Sequence, residues 1–101
     1  MEGAHRVWKQ TVISAADGSP RFAFRVFTLG PGGHTPHHCH PFEHLNYVIA
    51  GRGWLVAPSG RRQSLRKHDF ALVKPGEKHQ YRNASRTRPF VMICAVPKKY
   101  A

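Results

Sequence analysis

Acidic side chains are scarce in this chain. There are 5 Asp and Glu against 16 Lys and Arg in 101 residues, a formal net charge of +11. The five are Glu2, Asp17, Glu43, Asp69 and Glu77, and none stands where a general base is needed, so the chain offers no obvious one of its own. Cysteine is scarce too. Cys39 and Cys94 are too few for a thiolate zinc site, and in a chain read as cytosolic they are expected free rather than bridged. No apolar run approaches the ~18 residues of a membrane span. The start, Met1-Glu2-Gly3-Ala4-His5, lacks the basic-then-apolar pattern of a secretion signal. The expectation is a cytoplasmic protein without membrane contact. Convincing amphipathic helices are also missing.

What remains is an ordinary globular composition, 41% hydrophobic, in a length that holds a single domain over residues 1–101. Short apolar or alternating segments are separated by Gly and Pro turns. Strands are expected over residues 6–13, 21–29, 45–50, 54–57, 61–65, 70–73, 80–82 and 89–96. In the second, Phe22, Phe24 and Val26 face one way and Ala23, Arg25 and Phe27 the other. Gly30-Pro31-Gly32-Gly33 is expected to end it. Many short strands between turns indicate an all-β sandwich or barrel. Residues 1–20 are the least anchored by pattern. Their strand is a candidate for exchange with a partner subunit in a homodimer, because small β-barrels hide exposed edges in that way.

The positive charge invites a nucleic-acid reading, since cations on a surface release counterions from phosphate backbones. Its placement argues against specific binding. Arg61, Arg62, Arg66 and Lys67 form one cluster, Arg82, Arg86 and Arg88 a second, and Lys98 and Lys99 a third. Each lies in or beside a turn, and none lies on a helix that enters a groove. A solvated basic surface is the simpler account.

Histidine is the distinctive residue. There are 8, and His34, His37, His38, His40 and His44 crowd one short stretch. On a strand, positions two apart share a face, so His38 and His40 converge on one ion while Cys39 points away. His44 follows after Pro41-Phe42 and opens the next segment. His79 arrives from a distant strand behind Pro75-Gly76. Alternation favours His44 over Glu43 as the next ligand, because Glu43 would face away from it.

These residues resemble the cupin superfamily of small β-barrels. Its first motif is Gly-x5-His-x-His-x3,4-Glu-x6-Gly. Gly32, His38, His40 and Gly51 fit, with His44 in the glutamate's place. Its second is Gly-x5-Pro-x-Gly-x2-His-x3-Asn. Gly76, His79 and Asn83 fit, His68 replaces the leading glycine and the proline is displaced to Pro75. Residues 27–33 and 94–97 are also similar to small bacterial single-domain cupins.

The resemblance, which spans roughly residues 22–97, implies a double-stranded β-helix, or jelly-roll, barrel. It implies one divalent transition metal per chain, Fe, Mn, Ni, Cu or Zn, held by His38, His40, His44 and His79. It implies a small-molecule ligand, and an oxygen-using, dioxygenase-like oxidoreductase is the commonest activity. A Lewis-acid cyclase or isomerase, or a non-catalytic binding module, are the alternatives. Met92, Cys94 and Val96 share one face of the last strand and, with Phe42, are candidate pocket walls for a largely apolar substrate. Arg25 and Cys94 are the candidates for a catalytic role. Arg25 either clamps an anion inside the barrel or lies on its outer face. His34 and His37 are expected at the barrel mouth or surface rather than as a fifth ligand, His68 at the surface, and Asn83 holding a turn.

Overall fold

The Gly and Pro turns let the chain reverse often, and the segments between them pair side by side. The computed structural model describes residues 3–101. Its strands are β1 (His5–Ile13), β2 (Phe22–His34), β3 (His44–Ala50), β4 (Arg52–Val56), β5 (Arg62–Arg66), β6 (Phe70–Val73), β7 (Gln80–Asn83) and β8 (Phe90–Pro97). Two single-turn 3-10 segments, Ala15–Asp17 and Lys98–Tyr100, are the only helical pieces among the described residues. The first is capped by Ser14, whose hydroxyl accepts from Ala16 N while Asp17 accepts from Ser14 N. No helix of the described residues is long and apolar enough to cross a membrane.

All pairings are antiparallel, in the order β5-β4-β7-β2-β8-β3-β6, with β1 on the other side of β2. One layer is therefore β1-β2-β8-β3-β6 and the other β7-β4-β5. The fold is an all-β, nearly closed jelly-roll barrel. Its interior is filled by the alternate residues of each strand, among them Leu29, Val48, Leu65, Phe90 and Met92, all at most 1% exposed.

β2 joins the two layers, and here the structure corrects the sequence. Gly30-Pro31-Gly32-Gly33 does not end the strand, which runs on to His34. Val7 pairs with Leu29 and His5 with His34, so β2 takes five steps where β1 takes two. The extra residues form a bulge, which bends a strand instead of ending it. Gly33 sits so close to its surroundings that a Cβ there would meet Arg6 O and Gly30 O at 2.8 Å. Past the bulge His34 pairs with Arg82 of β7, in the opposite layer. Asn83 secures the crossing. Its amide donates to Leu29 O, Gly30 O and Arg88 O, while its carbonyl accepts from Ser85 N.

Two further positions explain parts of the sequence pattern. Gly51 has φ +79, and a Cβ would run into the carbonyl oxygen of Pro89. His68 has φ +78, a backbone region that costs a residue with a Cβ ~1–2 kcal/mol. Its ring returns part of that through a 2.6 Å hydrogen bond with the Tyr47 hydroxyl.

The outer surfaces of the layers differ. On β1-β2-β8-β3-β6 the outward positions are apolar and exposed. Phe22 and Phe24 stand on β2, Leu45 on β3, and Phe70 and Leu72 on β6. Leu45 pairs with both Leu72 and Ala95, and Ala95 in turn with Phe24, so this face is continuous. On the other layer Arg52 pairs with Arg66, and Arg62 lies over the Trp54 ring at 4.5 Å. β1 pairs with β2 of its own chain, and only Val7 along it is shielded from solvent.

Candidate metal centre

The histidines reach the barrel interior by three routes. His44 is the first residue of β3 and faces inward, with Asn46 two positions on along the same face. His79 stands just before β7, with Tyr81 two positions on. His38 and His40 do not lie on a regular strand, which corrects the route by which they were expected to converge. His38 forms an isolated bridge with His79, its N–H donating to His79 O at 3.0 Å and its carbonyl accepting from His79 N at 2.9 Å. His40 O accepts from Gly76 N at 2.7 Å. The loop carrying both rings is thus pinned to the Pro75-Gly76 turn.

The four rings meet. Centroids are 4.5 Å apart for His38–His40, 4.8 Å for His38–His79, 5.1 Å for His40–His44 and 5.4 Å for His44–His79. Cys39 and Glu43 are exposed. Phe42 backs the cluster, its ring stacked between Tyr100 at 3.8 Å and the His40 and His44 rings at 4.8 and 5.0 Å.

His79 and His44 each keep a ring nitrogen without a hydrogen-bond partner. His79 Nδ1 donates to Glu77 O at 3.1 Å, which leaves its Nε2 with a free lone pair. His44 Nδ1 lies 3.5 Å from Cys94 Sγ, and His44 Nε2 is buried without any hydrogen-bond partner. Burial is the main force lowering the ring pKa values. It takes His38 down to about 4, with help from His79, His40 and Arg25. It takes His44 down to about 3, with help from His79 and Arg25. His40 and His79 are lowered as well, His79 against the opposing pull of the Glu77 carbonyl. All four rings are therefore neutral at pH 7, the form that binds metal. As the side chains stand, no three His, Cys, Asp or Glu among the described residues form a group able to hold a metal ion. The partnerless His44 nitrogen is nonetheless what a metal-ligating imidazole leaves open, so the donor set fits such an ion.

The rings line a cavity of about 180 Å3. Arg25 faces into it and is 7% exposed, which decides between its two orientations. Met92 and Cys94 line it, whereas Phe42 and Val96 are buried outside its wall. The wall is more polar than the apolar lining expected, because Lys9, Thr35, Asn46 and Tyr81 also reach it. Alternation carried a signal for two of these, since Asn46 and Tyr81 each lie two residues beyond an inward histidine. The Tyr81 hydroxyl donates to Asn46 Oδ1 at 2.9 Å, and burial pushes its pKa up, so it stays a proton donor. Thr35 takes its place by accepting from Tyr81 N at 2.9 Å. His34 is half-buried near Gln80, and His37 is exposed.

Residues 25–96 match the family model described as a cupin domain. The chain is a cupin. No curated protein sequence matches it. Among solved structures it is similar to the polyketide cyclase RemF from Streptomyces resistomycificus, at 29% identity and a TM-score of 0.87 over 94% of this chain and 67% of that one. It is also similar to a cupin 2 domain-containing protein from Halorhodospira halophila, at 28% identity and a TM-score of 0.83 over 95% of this chain. A cupin-2 domain from Rhodospirillum rubrum, 22% identical with a TM-score of 0.83, shares the fold over 94% of this chain. This cupin spans 65% and 62% of the lengths of those last two proteins.

Proposed function

We propose that this cupin is a metal-dependent enzyme that acts on a small oxygen-bearing, enolisable molecule bound beside His38, His40, His44 and His79. The observation that carries the reading is the His44 Nε2 atom, buried and partnerless among three other neutral rings. A divalent transition ion held by four neutral imidazoles would keep its full charge and polarise an oxygen of the bound molecule. The chain's own residues do the rest. The Glu77 carbonyl fixes the tautomer of His79, and the Tyr81–Asn46 pair presents a fixed polar edge to the cavity. His44, His79 and Tyr81 form a wall of the cavity that is shielded from solvent. The cavity is smaller than the ~300–1,000 Å3 of sites for drug-sized ligands, which favours a small substrate or the reactive end of a larger one.

The likeness to a polyketide cyclase at 29% identity supports a cyclase or isomerase over the dioxygenase-like oxidoreductase that the family pattern alone favours. The test is to load the chain separately with Fe, Mn, Cu and Zn and assay enolisable and alkenyl substrates with and without oxygen. Turnover with Zn matching that with Fe, and independent of oxygen, is the expected result. Turnover confined to redox-active metals with oxygen would return the oxidoreductase. Ligand binding without turnover on any metal would make the protein a binding module.

We also propose that the apolar face of β1-β2-β8-β3-β6 is covered by a second copy of the chain. Its large exposed side chains, 43–76% open, present on the order of 700 Å2, close to the ~800 Å2 per partner of a stable interface. Sedimentation of the full chain at micromolar concentration should show a dimer. A folded Phe70→Glu, Leu72→Lys variant should be monomeric, and a monomeric wild-type chain would discard the assignment.

A further inference from the structure

We infer that Arg25 is the subsite for a carboxylate on the bound molecule, so that the substrate class is a small organic acid with an apolar body. The inference deepens the reading above and rests on it only in taking this cavity as the substrate's place.

Arg25 lies on β2 opposite Cys94 of β8 and is 7% exposed. Of its guanidinium nitrogens, Nη2 donates to Cys94 Sγ at 3.2 Å, while Nε is buried with no partner. A thiol sulfur is a weak acceptor and leaves most of a five-donor fork unanswered. The Phe27 ring, 4.9 Å from the guanidinium carbon, offers the charge its face but no hydrogen bond.

This charge has no compensating carboxylate among the described residues. Among the described residues no Asp or Glu lines the cavity. Asp17 and Asp69 are engaged at the Ser14 and Arg66 amides, and Glu43 and Glu77 are exposed. Lys9, arriving from β1, adds a second cation to the same wall. An imidazole, neutral or protonated, carries no negative charge to offset the guanidinium. An arginine kept only for the fold would be paired, because a buried unpaired charge is strongly unfavourable. This one is aimed into a cavity with its fork open, the arrangement that takes a carboxylate through two parallel hydrogen bonds. Phe27 and Met92, on the same wall, would pack the body of the acid.

The experiment compares benzoate with its neutral counterpart benzamide, by calorimetric titration of the full chain freed of metal by a chelator. Benzoate should bind about tenfold tighter or more than benzamide, the scale of one charge-assisted pair. Arg25→Met should bring benzoate down to the benzamide level, and Arg25→Lys, which keeps the charge and loses the fork, should fall between. Thermal melting separates this role from a purely structural one. Arg25→Met should melt at or above the wild-type temperature, since it removes an uncompensated charge. Equal binding of benzoate and benzamide to the wild-type chain would overturn the inference. So would undiminished benzoate binding by Arg25→Lys and Arg25→Met, or a marked fall in the melting temperature of Arg25→Met. Metal uptake, measured alongside, keeps the two readings apart. A wild-type chain that takes no metal but distinguishes benzoate from benzamide refutes the metal enzyme and supports the subsite.

Discussion

Replacing His38 and His40 together by alanine is expected to reduce metal content from close to one ion per chain to background, with the fold intact. The two rings supply half of the imidazole cluster and neither is deeply buried. Their backbone ties, His38 to His79 and His40 O to Gly76 N, run through main-chain atoms and survive the change. Neither ring has a side-chain hydrogen bond that the fold would lose, so the stability change should stay within about 1 kcal/mol. Elemental analysis reads the metal and circular dichroism reads the fold. His44 is a poorer choice for this test. Its ring is 6% exposed and packed against Phe42, so truncation there opens a cavity and confuses the two effects. Metal retained in full by the folded double variant would dismantle the four-histidine assignment.

The sequence made the architecture legible because each strand is short and bounded by a turn whose chemistry is local. Phe70–Val73 is bounded as read, and the other strands shift by a residue or two, apart from the run of β2 through its glycines. Gly30-Pro31-Gly32-Gly33 was illegible for a physical reason. The same glycines that end a strand also build a bulge, and only the partner strand decides which. Here β1 continues alongside and Asn83 clamps the bend from 50 or more residues away. At the site, the inward set Ala23, Arg25 and Phe27 was readable as one face of β2. That it is the inner face depends on the apolar outer residues being left exposed, against the usual expectation that apolar residues lie inside. Convergence of His38 and His40 was legible from spacing, but its cause is the backbone bridge of His38 to His79 and the tie of His40 to Gly76 rather than strand alternation. Thr35 and Lys9 had no local signal, since their places are set by Tyr81 and by the pairing of β1 with β2. Asn46 and Tyr81 did carry one, because a strand that points a histidine inward points its second neighbour inward too.

Below about pH 6.5 the metal-free chain is expected to lose stability steeply. The sign follows from the direction of the shifts. An unfolded histidine titrates near ~6.5, whereas burial holds His38 down to about 4 and His44 down to about 3 in the fold, with His79 and His40 also lowered. Above pH 6.5 these rings are neutral in both states, and their contribution to stability is fully present. As pH falls, the unfolded chain takes up protons that the fold cannot, so each buried ring costs about 1.4 kcal/mol per pH unit. The loss continues until the folded rings protonate in turn, near pH 4 for His38 and pH 3 for His44. His44 and His79 are almost fully buried, so solvent screens them least, while it weakens the effect at His38 and His40. His44 alone removes about 1 kcal/mol between pH 6.5 and 5.5, and the other lowered rings add to it in the same direction, against the ~5–15 kcal/mol that holds a domain together. A metal ion competes with the same protons, so loading the chain should move its acid midpoint to lower pH and a chelator should move it back. Urea unfolding followed by tryptophan fluorescence at pH 7.5, 6.5 and 5.5 measures the slope. Equal stability at 6.5 and 5.5 would mean that the rings are charged and hydrated inside the barrel, and the neutral ligand cluster would have to be abandoned.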